Sequence, residues 1–320
     1  MAGGDKAKAS GEYGEKIVAN LLKLLGWNTV KNSLKIPCIY NEKHKKNDRT
    51  QSVQHGADYL FNYRCPLRDS SRHDILISVK CRNGYPAKES TIVKVFKKFL
   101  VEIAHAIECY PASNEYKAKI RGAKKRKTSG LIFWIDRNQN DGKEYESIVD
   151  KIGLFYLKEE CMYDTICLID NKRAQFIFEA ISYAHKKYGK HNVKFFYIDT
   201  GLNNANLYRL FKGSIMPFEY INSDVIPFAI NDNDNDVLLL VINDSFNEDY
   251  LTKLIGLSQE LTNTWSSKVV IAFPDFNSFE HNNFVNSAKS KFRDDNFIEK
   301  LTVTTYKPDF RDEVWEWVQK

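Results

Sequence analysis

Apolar positions recur at two periods along the chain, and the switches between them mark out the elements. Over residues 11–27 the period is helical: Tyr13, Ile17, Leu21, Leu24 and Leu25 form one stripe, with Val18 and Leu22 at its margin. Ser10 is a candidate N-cap and Gly26 a stop signal. Residues 28–54 are polar, and 41–50 read as an exposed basic loop. Residues 59–63 have strand propensity, and Arg64-Cys65-Pro66 ends that run. Residues 74–82 alternate. Ile75, Ile77, Val79 and Cys81 fall on one face, which should be the core, and Asp74, Leu76, Ser78 and Lys80 on the other. After the turn Asn83-Gly84-Tyr85-Pro86, residues 89–109 return to helical period. Ile92, Val95, Phe96, Phe99, Leu100, Ile103 and Ile107 share the stripe, and Lys94, Lys97 and Lys98 lie outside it. Residues 131–135 read as a further strand.

Beyond residue 148 strand-like and helical runs alternate. Strands are expected at 165–169, 193–198, 225–229, 237–242, 269–273 and 301–305, and helices at 172–188, 247–261 and 278–292. The pattern predicts two domains, 1–148 and 149–320, the second α/β with a largely parallel, Rossmann-like sheet. Asp170, Asp199, Asp244 and Asp275 follow strand ends, where capping of the next helix is the ordinary role. Residues 231–236 alternate Asn and Asp but lack the Gly and closing Glu of a calcium loop, so they read as a turn. No glycine-rich phosphate loop is present.

Charge separates the halves. Residues 1–130 carry 26 Lys and Arg against 12 Asp and Glu, and the remainder 21 against 29. A basic N-terminal half suits a polyanion, with Lys124, Lys125, Arg126 and Lys127 as the densest run and Arg82 nearby; a solvated basic surface is the plain alternative. The acidic half could face a second protein subunit or the basic half of another copy. Six cysteines without a CxxC pair, no apolar run of membrane length and no signal-peptide core point to a cytoplasmic protein with reduced thiols. The same spacings argue against a zinc site, because His and Cys do not cluster along the sequence.

The chemistry concentrates in His55-Gly56-Ala57-Asp58 and Ile77-Ser78-Val79-Lys80. An Asp at the start of one strand and a Lys on the next can bind a divalent cation and align an attacking water. Glu15 lies beside Val18 and Leu22 at helical spacing and could aim a second carboxylate at the sheet, or simply favour the helix dipole. These residues, with the opening Gly11-Glu12-Tyr13-Gly14-Glu15, resemble the PD-(D/E)XK nuclease superfamily over roughly residues 10–137. They look like the restriction-endonuclease-like subunits of bacterial anti-phage systems, some of which work as two-gene pairs.

The resemblance implies an αβββαβ core with a mixed sheet and a Mg²⁺- or Mn²⁺-dependent nuclease, DNA favoured as substrate. Asp58 and Glu15 would be metal ligands, and Lys80 would orient the water. Ser78 stands where the family carries Glu, Asp or Gln, and Ser is a poor ligand for a hard cation. Glu89, at the start of the next helix, is a candidate for a migrated acid. The departure at Ser78 leaves a second reading open: a nuclease fold that binds nucleic acid and a partner without cleaving.

Overall fold

A close approach of helix to strand sets the first half of the chain. In the computed structural model, residues 2–45, 52–118, 123–138, 144–153, 161–204, 209–233, 235–262 and 265–307 are described, side chains from residue 12 onward. Of the loop expected at 41–50, residues 46–50 therefore lie outside the described residues. Helix α1 (Ala2–Leu24) lies against strand β3 (Ser71–Arg82), and a Cβ at Gly14 would overlap the Cβ of Cys81. Only a residue without a side chain permits that contact. The buried face of α1 is therefore Gly14, Val18, Leu21, Leu22 and Leu25, while Tyr13 and Ile17 are exposed, a rotation from the expected stripe. The helix also starts at Ala2, so Ser10 lies inside it and is not its cap.

Strands β1 (Lys31–Pro37), β2 (Gln54–Arg64) and β3 form an antiparallel meander. Helix α2 (Glu89–Cys109) and the short α3 (Asn114–Lys117) lead to β4 (Lys125–Asp136), parallel to β3. After α4 (Val149–Ile152), β5 (Thr165–Ile169) adds in parallel, giving one mixed sheet in the order β1-β2-β3-β4-β5. Every residue of β3 from Ser71 to Ser78 is buried, because both faces of the sheet are covered. On the α2 side, Leu34, Ile36, Leu60, Leu76, Ile132 and Trp134 pack with Ile92, Phe99 and Ile103. On the α1 side Trp27 stacks on Phe61 with ring centroids 4.8 Å apart. The polar letters of β3 mislead here. Asp74 is buried with Arg72, and also accepts from Tyr110 Oη at 3.3 Å.

The chain divides into two units between Gln175 and Phe176, inside α5 (Asn171–Tyr188). That is later than the boundary expected at 148/149, because β5 completes the first sheet although composition changes before it. Asp170 caps α5, accepting from Arg173 N at 2.8 Å. The second unit holds a sheet in the order β11-β10-β9-β8-β6-β7. Its strands are β6 (Val193–Phe196), β7 (Lys212–Gly213), β8 (Val225–Asp232), β9 (Asn235–Ile242), β10 (Lys268–Phe273) and β11 (Leu301–Thr305). Its helices are α6 (Glu248–Thr262), α7 (Ser278–Ser290) and α8 (Asp295–Glu299). Strands β9, β10 and β11 are parallel; β6, β7 and β8 pair antiparallel, so this sheet too is mixed. The cause is the Asn-Asp turn. It joins β8 to β9 as a hairpin, with Asn233 at φ 47°, and a connection that short can only join antiparallel strands.

Candidate nuclease site

Asp58 stands where β2 parts from β3, whose ladder with it ends at Tyr59–Ile77, while pairing with β1 runs on from Ala57 to Gln54. Tyr59 pairs with Asn32 and Ile77, and Ala57 with Leu34, but Asp58 has no partner in either ladder. Ala57 and Leu60, three residues apart, both enter the α2-side core, so strict alternation breaks between them. The register is the same on both sides, Asn32 with Tyr59 and Leu34 with Ala57, so no residue is inserted and the distortion is shared by both strands. Opposite Asp58, Ser33 takes φ 52°. The Asp58 carboxylate turns into the fork between β2 and β3, where Oδ2 accepts from Val79 N at 2.5 Å. It thereby satisfies an N–H that the ladder leaves open after Tyr59–Ile77.

Asp58, Ser78 and Lys80 line one cleft of ≈ 1180 Å³, larger than a usual small-molecule pocket. Its walls carry Lys35, Lys45, Lys97 and Lys98 besides Lys80, against the carboxylates of Asp58 and Glu102. Lys80 Nζ donates to Glu102 Oε2 at 2.7 Å and lies 5.1 Å from the Phe99 ring centroid. Glu102 was not a candidate from sequence. Its signal was there to read, since it follows the core residue Phe99 by three on α2 and so flanks the buried stripe.

Glu15 approaches from α1. Partial burial, then the charges of Asp58 and Glu12, push its carboxyl pKa up, and its backbone carbonyl accepts from Tyr59 Oη at 3.1 Å. Glu89 does not join the site. It opens α2 thirteen residues before Glu102, about 20 Å along the helix at ~1.5 Å per residue.

Nor does the basic run. Lys124–Lys127 lie at the start of β4, where Lys127 pairs in register with His73, whereas Lys80 pairs with Trp134. At ~3.3 Å per residue that is about 23 Å of strand. Arg126 there is structural: its guanidinium stacks on the Tyr116 ring at 3.9 Å, donates to Tyr116 O and lies 3.7 Å from Asp74 Oδ2. Lys127 is 3.5 Å from Asp164, and Lys125 is exposed. Arg82, exposed at the end of β3, sits 5.5 Å from the Phe99 ring centroid.

The expected absence of a Cys/His cluster also fails. Cys38, His44, His55 and Cys109 bring one ligand atom each to within 4.8 Å of one another, and His44 and His55 line the same cleft. Their separation in sequence, 38 to 109, hid the group from any spacing rule.

A forked strand carrying an Asp, a neighbouring strand carrying x-x-x-Lys and a flanking N-terminal helix define the PD-(D/E)XK nuclease fold. The chain belongs to the family described as the GAPS4 protein PD-(D/E)XK nuclease domain, whose model matches residues 1–173. No curated protein and no solved structure matches the chain. No helix among the described residues is long and apolar enough to cross a membrane.

Proposed function

We propose that the chain is a divalent-cation-dependent nuclease that hydrolyses phosphodiester bonds, with DNA as the favoured substrate. The observation that carries this reading is the convergence of Asp58, Lys80 and Glu102 in a lysine-lined cleft. Carboxylate oxygens suit Mg²⁺ or Mn²⁺, and Asp58 and Glu15, near enough for the Asp58 charge to be felt at Glu15, would hold the cation. When bound, that cation would neutralise phosphate charge and acidify an attacking water. Glu102 takes the place of the acid that Ser78 lacks, as a carboxylate brought in from α2. Lys80 donates toward the phosphate and the water, and its contact with Glu102 fixes where the ammonium points. Lys35, Lys45, Lys97 and Lys98 hold the backbone without reading bases.

The acidic second half suits a role beside a second protein subunit or another copy, and the family match supports a place in bacterial anti-phage defence. The rival reading, binding without cleavage, draws on Ser78. The test is cleavage of plasmid, linear DNA and RNA with Mg²⁺ or Mn²⁺, and Ser78→Glu beside the wild type. Cation-dependent cleavage of DNA, retained in Ser78→Glu, is the expected result. Tight, salt-sensitive binding with no cleavage of any substrate under any cation would establish the rival.

A further inference from the structure

We propose that Cys38, His44, His55 and Cys109 form a structural zinc site that ties the β1–β2 connection to the C-terminus of α2. The site is built from three elements. Cys38 follows β1, its N–H bonded to Val53 O at 3.0 Å. His55 is at the start of β2, opposite Ile36, and so on the same sheet face as Cys38. Cys109 ends α2. His44 comes from the turn between the strands, its N–H bonded to Tyr40 O at 2.9 Å.

The three distances from His44 match the edges around one tetrahedral ion, and the remaining pairs of ligand atoms lie within 4.8 Å of one another. With Zn–S about 2.3 Å and Zn–N about 2.05 Å, the edges of a tetrahedron are roughly 3.3 Å for N···N and roughly 3.6 Å for S···N. His44 Nδ1 lies 3.1 Å from His55 Nε2, 3.6 Å from Cys38 Sγ and 3.4 Å from Cys109 Sγ. Cys109 also meets the Cys38 thiol and the backbone of Ile39 and Tyr40, but hydrogen bonding to His44 alone does not account for three donors around Nδ1. His44 Nε2 faces Glu108 Oε2 at 2.9 Å, and donating there leaves a single lone pair on Nδ1. One lone pair cannot serve an imidazole N–H and two thiols at once, whereas a cation at the centre takes all four donors.

The surroundings have the form expected of a zinc ligand's support. The Glu108 carboxylate fixes the tautomer of His44, and Lys43 in turn holds Glu108 at 2.5 Å. The His105 ring stacks on His44 with centroids 3.8 Å apart. Two thiolates and Zn²⁺ sum to zero charge, so burial of the centre is not costly in the way a bare charge would be. Sulfur and imidazole donors disfavour Mg²⁺ and Mn²⁺, and four protein ligands leave no open position, which makes the site structural. Asp58 is three residues past His55, so the ion would position the strand that carries it.

The experiment uses the full-length chain, purified under reducing conditions without added metal. Elemental analysis should find about one zinc per chain. Replacement with Co²⁺ should give the intense visible bands of a tetrahedral centre and a thiolate-to-cobalt charge-transfer band. Cys38→Ser and His55→Asn should each abolish zinc retention. Glu108→Gln, a positioning change, should weaken affinity roughly 10–100-fold in competition with a chromophoric chelator, while the cobalt bands persist. Should a ligand variant fail to fold, the wild-type cobalt spectrum still decides. Absence of zinc together with absence of a tetrahedral cobalt spectrum overturns the proposal. So does a Cys38–Cys109 disulfide found by mass spectrometry, or zinc that survives both ligand substitutions.

Discussion

Lys80 on β3 is held by Glu102 on α2, Nζ to Oε2 at 2.7 Å, at the wall of the cleft that Asp58 also lines. The pair is partly exposed, so its net contribution to stability is small, about 0–1 kcal/mol. Its value lies in placing a cation and a carboxylate side by side. Glu102→Gln should therefore lower the cleavage rate by roughly 100-fold or more while shifting the unfolding midpoint little. Parallel cleavage and thermal-melt measurements check this. A large drop in stability with an unchanged cleavage rate per folded molecule would make Glu102 a structural residue only.

The lysines that matter for binding are expected to be those of the cleft. Lys97→Ala with Lys98→Ala should weaken DNA binding and flatten its salt dependence by about 0.9 in the log–log slope for each phosphate no longer neutralised. Lys124→Ala with Lys125→Ala should change both far less, since that run lies at the other end of β4. Fluorescence anisotropy across a salt series separates the two pairs. Equal weakening by both would mean that the basic end of the sheet also touches nucleic acid.

Asp74 serves the core and not the chemistry. It is fully buried with Arg72, which also donates to Ala118 O at 2.8 Å. Asp74→Ala strands a buried guanidinium and should cost about 3–5 kcal/mol in urea unfolding. A cost below about 1 kcal/mol would show that Arg72 finds water or another partner.

Burial, with the Lys127 and Arg68 charges adding to it, holds the His73 pKa down at about 3. The unfolded chain protonates this residue near its ordinary value of about 6.5, so below that pH it takes up a proton that the folded chain does not. His73 thus contributes its full stability above about pH 6.5 and loses it progressively as pH falls toward 3. Urea midpoints should drop between about pH 7 and 5, and His73→Gln should flatten that slope. A slope unchanged in the variant would assign it to other groups.

Part of this was legible in the chain. The stripe of α2 and the strand character of β3 follow from residue order, but β3 is buried on both faces, and Asp58, expected at the start of its strand, lies inside β2, which begins at Gln54. What sequence could not supply was depth. Strand β1 buries only Leu34 and Ile36, too few for a period to register. The face of α1 was misjudged because Gly14, which decides it, has no hydrophobicity to count. Arg126 has the charge of a phosphate contact, but Tyr116 and Asp74 occupy it in the fold. Cys38, His44, His55 and Cys109 meet only after three elements have folded.

Whether Asp58 and Lys80 carry the chemistry is decided by a single side-by-side assay. Wild type, Asp58→Asn and Lys80→Ala are compared for DNA cleavage at fixed Mg²⁺, each with its DNA affinity and melting temperature measured. The wild type should cleave in a cation-dependent way, both variants should not, and binding should be retained within about tenfold through the cleft lysines. Cleavage at the wild-type rate by folded Asp58→Asn would contradict the assignment of that carboxylate to the metal.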